Sequence, residues 1–149
     1  MSKEQAEFQR LWNKIGSSGI MVLSTCADNR VTSRAMSVVV TGGKFYCQTD
    51  ERYLKCRQIK ANPNVSLFFK EYSIEGSAKI SGKPTNSEFF IAAMKKHFKL
   101  AYMRYSALET ECVIEITPKL VSHWKYELNK PYIERWDFEK GSYVKEIQE

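Results

Sequence analysis

The chain has 149 residues, 43% of them hydrophobic and 27% charged, which suits one globular domain spanning residues 1–149 and excludes a disordered chain. A formal charge of +6 admits an anionic partner, but the 23 Lys and Arg are spread along the chain, so a solvated surface explains them more simply than nucleic acid does. Four scattered cysteines, Cys26, Cys47, Cys56 and Cys112, form no C-x-x-C pair, which argues against a disulfide framework or a metal site. No apolar run is long enough to cross a bilayer, and Met1-Ser2-Lys3-Glu4-Gln5 opens a polar helix instead of a signal peptide, so a cytoplasmic protein without membrane contact is expected. Phe8, Leu11, Trp12 and Ile15 recur at helical spacing over Lys3 to Ile15, and Gly16-Ser17-Ser18-Gly19 ends what reads as an amphipathic lid helix. Ile20 to Cys26, Val31 to Val40 and Phe45 to Thr49 are strands, joined by Ala27-Asp28-Asn29-Arg30 and Thr41-Gly42-Gly43-Lys44, whose residues tolerate hairpin backbone angles. Leu54 starts a short basic helix that Asn62-Pro63 stops. Val65 to Lys70 and Ser73 to Ser81 form a further hairpin, with a bulge or bend at Glu75-Gly76. Thr85-Asn86-Ser87 is placed to cap a helix from about Glu88 to Leu100. Glu111 to Ile116 alternates as a strand that Pro118 limits, and Leu120 to Tyr126 resumes it. The pattern predicts a mainly β fold, an antiparallel split β-barrel of six to seven strands with about three peripheral helices.

Conventional catalytic sets are missing. His97 lies in a Lys-rich helix and His123 beside Trp124, neither with a metal-ligand partner at helical spacing, and no nucleophile elbow accompanies them. There is no G-x-G-x-x-G and no Walker lysine, so any hard chemistry would come from a bound cofactor. Two stretches carry more information. Arg34 stands in a strand that turns apolar at Val38-Val39-Val40; alternation puts Arg34 and Met36 on one face and Ala35 and Ser37 on the other. It reads either as a phosphate ligand or as an edge-strand arginine facing water. The helix that follows Thr49-Asp50 aims its first N–H groups above the sheet edge, and Lys55 and Gln58 share one of its faces. Tyr53, Cys56 and Ile59 would pack an adjoining face on the barrel; taken alone the segment is a basic amphipathic helix, which is usually just solvated.

Arg34-Ala35-Met36-Ser37, then Phe45-Tyr46-Cys47-Gln48-Thr49, then Lys55-x-x-Gln58-Ile59-x-x-Asn62-Pro63-x-Val65-x-Leu67 resembles the pyridoxamine 5′-phosphate oxidase-like family of FMN-binding split β-barrels. The likeness runs from about Gly19 to Phe69 and continues more thinly past Trp124. It implies a homodimer with FMN at the subunit interface: Arg34 and Lys55 on the phosphate, Ala35, Met36 and Ser37 along the ring edge, Thr49 near the ribityl phosphate and Gln58 on the same side. It also implies that Trp124 and Arg135 approach the flavin from the other subunit. Leu128-Asn129-Lys130-Pro131-Tyr132 stands where the oxidase carries its R-L-H substrate motif, and the closing R-L-x-P is absent, which argues against pyridoxamine phosphate as substrate. Arg52 and Tyr53 occupy ground where the family has a glycine and a serine.

The expectation is an FMN-dependent oxidoreductase or flavin reductase, with a reduced nicotinamide such as NAD(P)H as a possible donor and no side chain assigned as catalytic acid, base or nucleophile. The alternative is a non-catalytic module, or one that holds haem or a deazaflavin, on the same barrel.

Overall fold

In the computed structural model, which describes residues 1–148, helix α1 (Lys3–Ile15) starts with a reciprocal cap. The Ser2 hydroxyl accepts from the Gln5 N–H at 3.1 Å and the Gln5 side chain accepts from the Ser2 N–H at 2.8 Å. Gly16, at φ 81°, ends the helix. Leu11 and Ile15 are wholly buried, so α1 covers one end of the core as its apolar stripe predicts.

The strands β1 (Ser18–Ala27), β2 (Arg30–Thr41) and β3 (Lys44–Asp50) form the expected meander. Asp28 and Asn29 both hold positive φ, the condition for a turn whose twist matches the strands. Helix α2 (Leu54–Ala61) then crosses to the hairpin of β4 (Asn64–Phe69) and β5 (Tyr72–Ile80). A 3-10 turn (Pro84–Asn86), α3 (Glu88–His97) and α4 (Lys99–Tyr105) precede the long β6 (Glu111–Glu127), followed by β7 (Lys130–Asp137) and β8 (Ser142–Ile147). The sheet runs β3-β2-β1-β4-β5-β6-β7-β8, and β6 also pairs with β3. That pairing closes a six-stranded antiparallel barrel, from which β7 and β8 extend as a flange.

The predicted fold class stands, with more elements than expected. There are eight strands among the described residues, because β7 and β8 follow a turn at Leu128-Asn129 that lacks glycine although both residues have positive φ. The segments on either side of Pro118 are one strand: Pro118 sits opposite Gly76 at a register shift, where the ladder does not require its missing N–H. A Cβ on Gly76 would lie 2.7 Å from the Thr117 carbonyl oxygen, which explains the glycine. The helix expected from Glu88 to Leu100 is two, broken at Phe98 (φ −140°, ψ 58°). Ser87 occupies its cap position without a side-chain cap bond. Among the described residues no helix is long and apolar enough to cross a membrane.

Candidate functional site

Strand alternation turns Thr32, Arg34 and Met36 toward the barrel interior, opposite the buried Thr25, Leu23 and Met21 of β1. Met36 joins the core, while Arg34 stays half-buried partway along β2, with its bonding partners toward the β1–β2 turn. One of its terminal nitrogens donates to the Leu23 carbonyl at 3.3 Å and to the Thr25 hydroxyl at 2.8 Å; the other donates to the Thr32 hydroxyl. Both hydroxyls pass their protons to one acceptor, Gln58 Oε1, at 2.5 Å from Thr25 and 2.7 Å from Thr32. Gln58 Nε2 closes the network on the Arg30 carbonyl at 3.1 Å. The buried amide therefore braces Arg34 through two threonines, in place of the free polar head on the helix face that the sequence suggests.

Lys55 lies in the first turn of α2, and its ammonium donates to the Thr49 hydroxyl at 2.9 Å and sits 4.9 Å above the Tyr53 ring. Cys56 and Ile59 are buried against the barrel as expected, but Tyr53 precedes the helix and is exposed. No side chain caps the helix; the Cys56 and Arg57 N–H groups donate to the Tyr53 carbonyl, and those of Leu54 and Lys55 lie ahead of them in its first turn. Burial lowers the pKa of Lys55, and the charge of Arg34 lowers it further. Burial likewise lowers Arg34. Among the described residues neither has a carboxylate within ion-pair distance. Glu111, buried at the start of β6, has its carboxyl pushed up by burial and then by the charge of Asp50. Two cations held half out of water without an anion are a costly arrangement unless an anion completes it.

Thus Arg34, Thr49, Lys55 and Gln58 converge, joined by Thr25 and Thr32, which sequence reasoning missed. The signal for both was present: they flank the Asp28-Asn29 turn symmetrically, so the hairpin register pairs them and sets them two residues from Arg34 and Leu23. Ala35 and Ser37 face outward, against Val22 and Ile20. Trp124 and Arg135 are not part of this cluster. Trp124 lies on β6, roughly 40 Å along the strand from Cys112 at about 3.4 Å per residue, edge-on to Tyr126. Arg135, on β7, pairs with Glu146 at 2.5 Å. A cavity of about 410 Å³ opens beside the brace, lined by Asp28, Arg30, Leu54, Arg57 and Gln58 among others. Another, of about 570 Å³, is built from α1 and the flange and contains no residue of the cluster. No group of three metal-ligating side chains occurs among the described residues.

Comparison with known proteins gives one family: the model described as pyridoxamine 5′-phosphate oxidase matches residues 3–125. No curated protein matches the chain in sequence. Solved structures share its fold at low identity. A pyridoxamine 5′-phosphate oxidase-related, FMN-binding protein from Nostoc punctiforme is 12% identical, covers 100% of this chain and 98% of its own, and superposes with a TM-score of 0.62. General Stress Protein 26 from Bacillus anthracis is 23% identical over 72% of this chain and 84% of its own, with a TM-score of 0.56. The haem storage protein HutZ from Vibrio cholerae is 16% identical over 79% and 92%, with a TM-score of 0.59.

Proposed function

The chain belongs to the pyridoxamine 5′-phosphate oxidase family, and from that premise we propose that it is an FMN-binding oxidoreductase of the cytoplasm that works as a homodimer. The observation that carries this reading is the pair Arg34 and Lys55, two half-buried cations, with the charge of Arg34 lowering Lys55 and neither within ion-pair distance of a carboxylate among the described residues. A phosphate dianion fits there: Arg34 has N–H groups left after its three bonds, Lys55 has two protons beyond the one given to Thr49, and the uncapped turn of α2 adds backbone donors.

In this reading Arg34 and Lys55 hold the phosphate, Thr49 orients the ammonium, and Gln58 keeps the guanidinium in place through Thr25 and Thr32. The outward residues Ala35 and Ser37, with the β2 backbone at Met36, border the ring. Trp124 and Arg135 of the partner subunit reach the ring's other side, which is why one chain alone leaves them apart from the cluster. Bound FMN would supply hydride and single-electron chemistry, with a reduced nicotinamide as donor. Pyridoxamine phosphate is disfavoured as the substrate, because Leu128-Asn129-Lys130-Pro131-Tyr132 stands where the oxidase carries its R-L-H substrate motif.

The test is a titration of purified protein with FMN and with riboflavin, followed by flavin absorbance and fluorescence. FMN should bind at least roughly 100-fold tighter than riboflavin, given about 1.5–3 kcal/mol for each charge-assisted bond. Arg34→Ala and Lys55→Ala should each weaken FMN by about 10- to 100-fold. Equal affinity for the two flavins, or no uptake of either, overturns the reading. The likeness to a haem storage protein supports a second reading, a haem-binding module whose axial ligand would be His97 or His123. Tight haem uptake with a strong violet absorption band, lost in one of the two histidine variants, would favour it over FMN.

A further inference from the structure

Cys56 and Cys112 are buried, yet their sulfurs lie 3.8 Å apart, in contact across the junction of α2 and β6. Each is one step from the cation cluster: Cys56 follows Lys55 in the chain, and Cys112 pairs across the ladder with Thr49, whose hydroxyl holds Lys55. We propose that these two thiols form a reversible disulfide when the protein meets a hydroperoxide, and that closing it shifts Lys55 and retunes anion binding at the clamp. The second half rests on the clamp reading above; the first does not.

The two sulfurs are unequal, as a reactive pair requires. The Cys56 S–H can donate to the Asp50 carbonyl at 3.6 Å, which leaves the Cys112 S–H to donate to Cys56; that bond, with the charges of Lys55 and Lys60 behind it, lowers the Cys56 thiol despite burial. The same hydrogen bond, then burial, raises Cys112. Cys56 also stands in the first turn of a helix, where the dipole favours a thiolate. Cys56 is wholly buried, so the oxidant reaches it when that turn opens, which breaks the bonds from the Cys56 and Arg57 N–H groups to the Tyr53 carbonyl but no side-chain cap. The Cys56 thiolate attacks one peroxide oxygen; the O–O bond breaks, the departing hydroxide takes up the proton that Cys56 released on ionising and leaves as one water, and Cys56 becomes a sulfenic acid. Cys112 then attacks that sulfur, the S–O bond breaks, and the departing hydroxide takes the Cys112 proton as a second water. Two thiols are oxidised and one peroxide is reduced. Closing the bond draws the sulfurs from 3.8 Å to about 2.05 Å, which pulls the first turn of α2 toward β6 and takes the stem of Lys55 with it.

Reduced full-length protein is treated with a slight excess of hydrogen peroxide, its remaining thiols are alkylated under denaturing conditions, and the peptides are mapped. The expected result is a peptide pair joined through Cys56 and Cys112, absent after dithiothreitol and still present in Cys47→Ser. In Cys112→Ser, dimedone should instead trap a sulfenic acid on Cys56. If that variant fails to fold, the wild-type and Cys47→Ser maps decide alone. A bond through Cys47 or Cys26, over-oxidation of Cys56 with Cys112 free, or inert thiols overturns the proposal. The oxidised protein should bind FMN at least threefold more weakly than the reduced, with recovery on reduction. A mapped disulfide with unchanged FMN affinity overturns the coupling to the clamp. A mapped disulfide in protein that takes up no flavin in either state, by contrast, points to failure of the flavin reading itself.

Discussion

Gln58 sits one turn after Lys55 on α2, and the linear motif that brings both to notice says nothing about how differently they act. Lys55 keeps a free ammonium end, whereas the Gln58 carbonyl oxygen takes both threonine protons. Gln58→Leu therefore leaves the two threonine hydroxyls with only each other, at 3.2 Å, and Arg34 without its brace. We expect a loss of about 1–3 kcal/mol in urea denaturation, and FMN affinity weaker by roughly 5- to 10-fold although neither cation has changed. Gln58→Glu separates a brace from a ligand. The carboxylate still accepts from both hydroxyls, but it loses the donor to the Arg30 carbonyl and its charge competes with phosphate for Arg34, so stability should recover only in part while FMN affinity falls further. Equal FMN affinity in wild type and both variants would show that Arg34 needs no brace. Arg34, Thr49, Lys55 and Gln58 were legible because residue type and spacing mark a strand and the helix after the next strand. Thr25 and Thr32 were not: their part is fixed by which residues face each other across a hairpin, and a threonine pair in a strand is otherwise ordinary.

The elements that sequence patterning missed, β7 and β8, hold α1 in place. Glu134 of β7 is only 1% exposed and accepts from Arg10 of α1, from the Tyr143 hydroxyl at 2.5 Å and, through Nδ1, from His123 at 3.1 Å, with Lys125 at 3.3 Å. Trp136 adds an indole bond to the Glu7 carbonyl at 3.1 Å. Burial alone would raise the Glu134 carboxyl, but the bonds from Tyr143, His123 and Arg10 outweigh it and hold the group at about 2, below its ordinary value of 4.5. A depressed carboxylate stabilises the folded state fully above its unfolded pKa, and that stabilisation is lost as pH falls toward the folded one. Here the window runs from about 4.5 down to about 2, and the shift corresponds to roughly 3 kcal/mol. Denaturation of wild type and Glu134→Gln across that window should give a stability gap that is full at neutral pH and closes in acid. A gap independent of pH would mean that the carboxylate charge is not what secures α1. The flange was hard to foresee because its turn carries Leu128, while a charged residue in a strand normally signals a solvent face; Glu134 is buried only because α1 brings Arg10 over it.

One strand, β2, presents residues to both sides of the barrel wall, so the proposed clamp and the proposed dimer can be tested together. With Arg34 and Met36 turned inward, alternation forces Ala35 and Ser37 outward, and a one-residue slip would exchange the two sets. The outer face of β2, β1 and β4 then carries Val22, directly opposite both Ala35 and Phe68, with Ile20 two residues along. Ile20, Val22 and Phe68 are 58%, 40% and 52% exposed, a contiguous apolar patch bordered by Ser24, Ser33, Ser37 and Ser66. A second copy seated on this patch by a two-fold axis would bury it and supply the outer wall of the slot beside Arg34. Val22→Asp places a carboxylate at the centre of that seam without touching the core, because the Val22 side chain already faces water in the single chain. Light scattering coupled to size exclusion should find wild type at twice the chain mass and Val22→Asp at the chain mass, with an unchanged circular dichroism spectrum. FMN uptake should be largely lost in the variant even though Arg34, Lys55 and their braces are intact, since half of the ring's enclosure has gone. A wild type that binds FMN as a monomer would sink the shared site. A Val22→Asp dimer with full flavin content would move the seam to another face.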